Sequence, residues 1–544
     1  MLNTKEIQKV LLVLPQEFKP TDRPAVLHLN PPLGIGYIAA ALENEGYDVS
    51  VIDSVVEGYN NSEHVDDTMV RIGISDDELR GRIQDIRPDV VGISSMFTMQ
   101  RRNTHRVAEI VKNIDSEIPV IVGGAHPTAA PDQVLADENV DIVVLSEGDN
   151  SIGPVIDAFK KGAGFKSLDG VAYRGPEGII IQEKRNVIND LDILPFPARH
   201  LLPMEKYLEV GARHGGALTP GTRPASLISS RGCQFRCNFC TAFKVFGRLP
   251  RVRSIDSVMS EIDELVNDYG VNWLFFEDDQ LIAKVAHAEA LFDAIIERNY
   301  GISWDTPNGV SAWLLNEKLL HKMAKSGCTT VNLALESGNQ YVLDKIINKP
   351  VKLHQIPPLV ETIRKTGMEI GAFLVVGNFS DNGVETLDQI RDSFRMARAL
   401  KVTPNVSYLA PYPGSDVLNI AQKKGYLIDD FDWDKCVCVE INVTTPEWTP
   451  EQLRQVVEEE MEKTVMSYRL YNTTNWLYKA VPRLILEMKS NPIKAVKLYS
   501  KQTFTILING IKFLFSKIRK FINPATRKRG KIHWLKRQSQ PTYR

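Results

Sequence analysis

Two separate series of short apolar runs alternating with amphipathic stretches dominate this 544-residue chain, and they restrict it to an α/β architecture. The first series predicts strands at Lys9–Leu14, Asp48–Asp53, Val90–Ser94, Pro119–Gly123 and Asp141–Leu145. Helices are expected between them at Gly34–Glu45, Asp76–Ile86, Arg102–Asn113 and Pro131–Asp137. Strands joined by helical crossovers lie parallel, so these five form a doubly wound sheet, whose ligand belongs outside the carboxyl ends of the strands. Those ends carry Ser94-Ser95, Gly123-Gly124 and Glu147-Gly148. Glycine there lets a large ligand approach the backbone closely, and it serves a tight turn equally well.

The second series predicts strands at Ser226–Ser230, Leu274–Phe276, Ser303–Asp305, Thr330–Ala334, Glu369–Val376 and Asn405–Leu409, each followed by a helical pattern. Six β/α units make a partial (β/α)6 barrel with its chemistry at the carboxyl ends of the strands. The expected organisation is a first domain over 1–152, a linker or small wrapping segment rich in Pro and Gly over 153–222, the barrel over 223–440 and a helical region over 441–544.

Six cysteines are too few for an extracellular disulfide scaffold. Met1–Lys9 has no basic segment followed by an apolar one, and no run reaches the ~18 apolar residues of a membrane span. A cytoplasmic chain is expected. Its net charge of −2 conceals an asymmetry: residues 471–544 hold 17 Lys and Arg against the single acid Glu487, a net of +16, leaving −18 for residues 1–470. The acidic body argues against nucleic acid as a general partner. The tail, with Ile506, Leu507, Ile508, Ile511, Phe513 and Leu514 among Lys512, Lys517, Arg519 and Lys520, suits either peripheral contact with an anionic membrane or a helical cap on the barrel.

Three cysteines fall within eight residues, Cys233-Gln234-Phe235-Arg236-Cys237-Asn238-Phe239-Cys240, directly after the first barrel strand. Three thiolates in one loop can hold zinc if a fourth ligand arrives from Cys328 or a histidine. They can equally hold three irons of a [4Fe-4S] cluster and leave the fourth open. Glu277-Asp278-Asp279 ends the second barrel strand; three adjacent acids are costly unless solvated or paired, so a cationic ligand or a solvated loop is implied.

The C-x3-C-x2-C spacing, the aromatic before its third cysteine and its position after the first barrel strand resemble the radical S-adenosylmethionine (SAM) superfamily. That resemblance implies that Cys233, Cys237 and Cys240 hold the cluster, and that the open iron binds SAM, whose cleavage yields a 5'-deoxyadenosyl radical. It implies that Phe239 shields the cluster, that Asp278 and Asp279 face the methionine amino group, and that Glu336 and Ser337 lie near the ribose. Preceded by a flavodoxin-like domain, the barrel resembles the cobalamin (B12)-dependent class B methyltransferase type. Ser94, Ser95, Gly123 and Gly124 then sit where cobalamin folds admit the nucleotide tail, and Glu147 and Gly148, at the end of the fifth strand, are expected to bind the cofactor as well.

No D-x-H-x-x-G is present, so no histidine is expected on cobalt, and His126 reads as a loop or pocket residue. Pro32-Leu33-Gly34-Ile35-Gly36-Tyr37, Trp304-Asp305-Thr306-Pro307-Asn308-Gly309 and Asn348-Lys349-Pro350 are similar to the phosphonate C-methyltransferases of the fosfomycin pathway, over roughly residues 9–440. The implied function is methyl transfer from methylcobalamin to a substrate carbon radical. The alternatives are a cobalamin-dependent radical cyclase or rearrangement enzyme, and a non-catalytic cobalamin- or zinc-binding regulator. The implied partners are a small-molecule or lipid substrate and a low-potential electron donor of the flavodoxin or ferredoxin type.

Overall fold

The computed structural model describes residues 6–21, 29–67, 69–210, 212–213, 216–217 and 221–490. The first series forms five parallel strands, β1 (Lys9–Leu14), β2 (Asp48–Asp53), β3 (Val90–Ser94), β4 (Val120–Gly123) and β5 (Ile142–Val144), in the order β2-β1-β3-β4-β5. The sheet is buried on both faces, as parallel sheets require. Val10, Leu12, Ile121 and Ile142 pack on one side, and Leu11, Val13, Val91, Val122 and Val143 on the other. The order reverses between β1 and β3, which opens a crevice at the carboxyl ends there.

Residues 153–222 do more than connect. The antiparallel strands β6 (Val171–Gly175) and β7 (Gly178–Gln182) extend the first sheet beyond β5. Farther on, the segment wraps both domains: Tyr207 donates its hydroxyl to Asp53 of the sheet, and Arg199 pairs with Glu261 of the barrel. Pro and Gly density concealed the hairpin because its strands have only five residues each. Glu17–Pro20, Met69–Ile72 and Ser62–His64 form a small antiparallel sheet that no sequence pattern announces. Strands of three or four residues carry no periodicity to detect.

The second series gives six parallel strands in sequential order, β8 (Pro224–Leu227), β9 (Trp273–Phe276), β10 (Ser303–Asp305), β11 (Cys328–Glu336), β12 (Glu369–Val376) and β13 (Thr403–Tyr408). One contiguous core lies between these strands and their helices, with the Trp304 ring stacked on Phe292 at 5.0 Å. Beyond the barrel, helix Pro450–Ser490 lays Leu453, Val456, Val457 and Met461 against Phe379 and Phe394. No helix of the described residues is long and apolar enough to cross a membrane. The amphipathic stretch at 504–515 lies outside the described residues.

Candidate cofactor sites

The Asn238 side chain ties the cysteine loop to the barrel. Asn238 donates its amide to the carbonyls of Ile346 and Phe379, both at 2.9 Å, and its own N–H bonds to Ile347 O at 3.2 Å. Gly232 takes φ +93°, and a β-carbon there would stand 2.8 Å from Leu249 O, so only glycine fits before Cys233. Phe239 packs between the barrel core and the carboxy-terminal core. Burial pushes the pKa of all three thiols up, that of Cys237 to about 12 with Glu336 and the two neighbouring thiols contributing. A ligand that binds thiolates must therefore displace their protons.

A cation faces these thiols. Lys349 is buried, its Nζ 2.6 Å from Glu336 Oε1, and it interacts electrostatically with Cys237 and Cys240. Burial opposes its charge, but Glu336 and the thiols more than offset this. Glu336 itself has φ +64° where the β11/β12 register shifts. Asn348 has φ +62°, after a rare π-helical turn at Val342–Ile347. Backbone costs of this kind persist where surrounding structure fixes a functional side chain. Nothing in Asn348-Lys349-Pro350 signals the fold-back of Lys349 onto the loop.

The three acids after β9 separate into different environments. Asp278 is fully engaged with the Ser229–Ser230 turn, accepting from Ser229 N at 3.1 Å, Ser229 Oγ at 2.8 Å and Ser230 Oγ. It braces the approach to the cysteines rather than presenting an open acceptor. Asp279 Oδ2 is buried without a hydrogen-bond partner among the described residues, and its charge acts on Cys233 and Cys240. Burial, then Asp278, pushes the Asp279 carboxyl up to about 6. Ser337 likewise turns inward, accepting from Asn339 N and lying 3.4 Å from Ser393 Oγ.

The zinc alternative does not find the fourth ligand proposed for it in Cys328. That residue opens β11, while the cysteine loop lies at the other end of the barrel. Nine strand residues span roughly 25–30 Å. Among the described residues, no three His, Cys, Asp or Glu side chains converge on a single-ion position.

A cavity of about 250 Å³ lies between the first sheet and the barrel. Ser94, Gly123, Gly124, Glu147 and Gly148 line it from one side, and Ile228, Arg231, Val245, Phe246 and Glu277 from the other. Gly124 has φ +122°, and a β-carbon would meet Ser95 O at 2.4 Å. Gly123 has open space, with its nearest neighbour at 3.8 Å. Ser95 Oγ is buried without a hydrogen-bond partner among the described residues. His126 is buried and does not line this cavity; burial lowers its basicity to about 4.

Glu147 was expected to contact the cofactor, but its carboxylate is taken by Arg251, at 3.0 Å for one of two bonds, with Arg231 at 3.6 Å. Asp149 holds Arg231 in a bidentate pair at 2.8 and 3.1 Å, and the guanidinium lies over the rings of Tyr37 and Phe246. These buried pairs fasten the two domains across the cavity. Arg231 carries no signal in the sequence, since its partners are remote in the chain.

The residues therefore fit two large groups side by side. Three thiols face a cation and a carboxylate with an unpartnered oxygen, and next to them lies a mostly apolar crevice with a glycine-lined edge. Independent comparisons agree. A B12-binding domain model matches residues 25–155 and a radical SAM superfamily model matches residues 227–390. The chain is 34% identical over 453 residues to cytidylyl-2-hydroxyethylphosphonate methyltransferase of Streptomyces wedmorensis, covering 78% of this chain and 83% of that one. The radical SAM methyltransferase TsrM of Kitasatospora setae, solved with cobalamin and a [4Fe-4S] cluster, superposes with a TM-score of 0.59 at 19% identity, over 77% of this chain and 78% of that one. The cobalamin-dependent SAM radical enzyme OxsB, solved with aqua-cobalamin, superposes with a TM-score of 0.65 at 16% identity, over 92% and 71%. The chain belongs to the cobalamin-dependent radical SAM enzymes, of the methyltransferase type, with cobalamin, a [4Fe-4S] cluster and SAM as its cofactors.

Proposed function

We propose that the chain methylates a carbon of a small organic molecule held where the inter-domain cavity meets the barrel mouth. The supporting observation is that a single cavity is lined both by the carboxyl ends of the first sheet and by Arg231 and Glu277 beside the cysteine loop. When bound, the cofactors supply the radical and the methyl group; the protein binds, orients and excludes water.

In this reading Cys233, Cys237 and Cys240 hold the cluster, and Phe239 covers it. Asp279 accepts the amino group of SAM, and Lys349 supplies the countercharge for an anionic group beside the thiolates. Asp278, Ser337 and Glu147 act one step removed, bracing the turns and the domain interface. Ser94, Ser95, Gly123, Gly124 and Gly148 receive the nucleotide tail of cobalamin.

The reductant is a low-potential carrier of the flavodoxin or ferredoxin type. The basic tail after residue 490 contacts an anionic membrane surface. Removing residues 500–544 should abolish co-sedimentation with liposomes containing anionic lipid; unchanged binding of the truncated chain would sink the membrane contact. Methyl transfer is tested with methyl-deuterated SAM and a set of candidate acceptors. Deuterated product with equal amounts of S-adenosylhomocysteine and 5'-deoxyadenosine is expected, and turnover without S-adenosylhomocysteine would refute it.

A further inference from the structure

From residue 231 to residue 253 the chain carries six Arg or Lys and no acid, within a body whose first 470 residues have a net charge of −18. Three of the six, Arg231, Arg251 and Arg253, are buried in ion pairs. The other three are Arg236, Lys244 and Arg248. Arg236 and Lys244 are exposed, and none of the three forms an ion pair with another described residue. Arg248 lies 3.8 Å over the Phe243 ring, which Lys244 also approaches at 5.7 Å, and it donates to Phe235 O at 2.6 Å. Leu249, 69% exposed, adds an apolar side chain next to Arg248.

We propose that this face of the cysteine loop is the docking surface for an acidic one-electron carrier protein. The inference rests on the cluster reading above. Unpaired cations on an otherwise acidic body attract an acidic partner, and such steering acts mainly on the association rate. Arginine beside aromatic rings, with an exposed leucine and polar Gln234 at its edge, has the composition of a protein interface. Arg236 is flanked by Phe235 and Cys237, so a carrier seated on it comes close to the cysteines. One electron passes: a flavin hydroquinone in the carrier becomes the semiquinone, and the cluster goes from the 2+ to the 1+ state.

The test uses the full chain with its cluster assembled, flavodoxin hydroquinone as the carrier and dithionite as a small reductant, following cluster bleaching by stopped flow. In the Arg236→Glu/Lys244→Glu variant, reduction by flavodoxin should slow by about tenfold or more at low salt, with dithionite reduction and iron content unchanged. The wild-type rate with flavodoxin should fall as ionic strength rises, and the variant should lose most of that dependence. Single reversal of Lys161, which lies on the first domain and is exposed, should leave both rates unchanged. Equal flavodoxin rates in variant and wild type, or a salt-independent wild-type rate, would overturn the docking surface. A wild-type chain that assembles no iron-sulfur cluster overturns the cluster reading itself, and this inference with it.

Discussion

Lys349 Nζ and Glu336 Oε1 stand 2.6 Å apart in a buried pair that faces the cysteine loop, and unusual backbone holds both ends. Trp313 lies beside the ammonium, 5.6 Å from ring centroid to Nζ, and its ring meets Phe235 edge-on at 4.8 Å. The pair is thus continuous with the loop it faces. Removing one partner leaves an uncompensated buried charge, which costs ~3–5 kcal/mol. Urea unfolding of the cofactor-free chain should show that loss for Glu336→Ala. Combining Glu336→Gln with Lys349→Met should recover most of it.

Replacing Cys233, Cys237 or Cys240 singly by alanine should take bound iron from about four per chain to near zero after anaerobic reconstitution. Cys328→Ala and Cys436→Ala should keep it. Cys328 lies at the far end of the barrel, and Cys436 is buried against Pro411 O. Iron retained in all three loop variants would remove the loop from the cluster.

The bidentate pair of Arg231 with Asp149 spans the domains at the wall of the cavity. Asp149→Ala leaves the guanidinium with Glu147 at 3.6 Å and loosens that wall. Cobalamin binding, measured by equilibrium dialysis, should weaken at least roughly tenfold, which corresponds to ~1.4 kcal/mol. Lys318→Ala, which breaks an exposed pair with Glu289, should change nothing measurable.

Burial raises the Glu277 carboxyl to about 7, with repulsion from Asp305 and Asp278 adding to it and the Ser226 hydrogen bond opposing it. Below the unfolded value of 4.5 both states are protonated, and the contribution of this group to stability is fully present. As pH rises from 4.5 to 7 the unfolded chain ionises first, so this contribution is lost, on the order of 3 kcal/mol in total. Glu277→Gln should flatten that part of the stability profile in the cofactor-free chain, as urea titrations between pH 4.5 and 8 would show. An unchanged slope would place the carboxyl in water.

Much of the fold was legible because period and spacing are local. The five parallel strands of the first sheet and the six of the barrel stand at or within a few residues of their expected positions, and the cysteine spacing announced its chemistry. What the sequence hid is non-local. Asp278 and Asp279 are indistinguishable in a string, yet one is filled by the Ser229–Ser230 turn and the other keeps an unpartnered oxygen. Glu147 reads as a strand-end ligand until Arg251, 104 residues away, occupies it. Lys349 and Arg231 acquire meaning only through chain reversals that no short window contains. Hairpin β6–β7 escaped because five-residue strands inside a Pro- and Gly-rich segment resemble a connection.

The central claim, that one chain holds both an iron-sulfur cluster at Cys233, Cys237 and Cys240 and cobalamin in the adjoining cavity, is tested most directly by metal analysis. The chain would be purified anaerobically with cobalamin supplied, and iron, sulfide, cobalt and zinc measured per chain. About four irons, four sulfides and one cobalt are predicted. Zinc with neither iron nor sulfide would contradict the account.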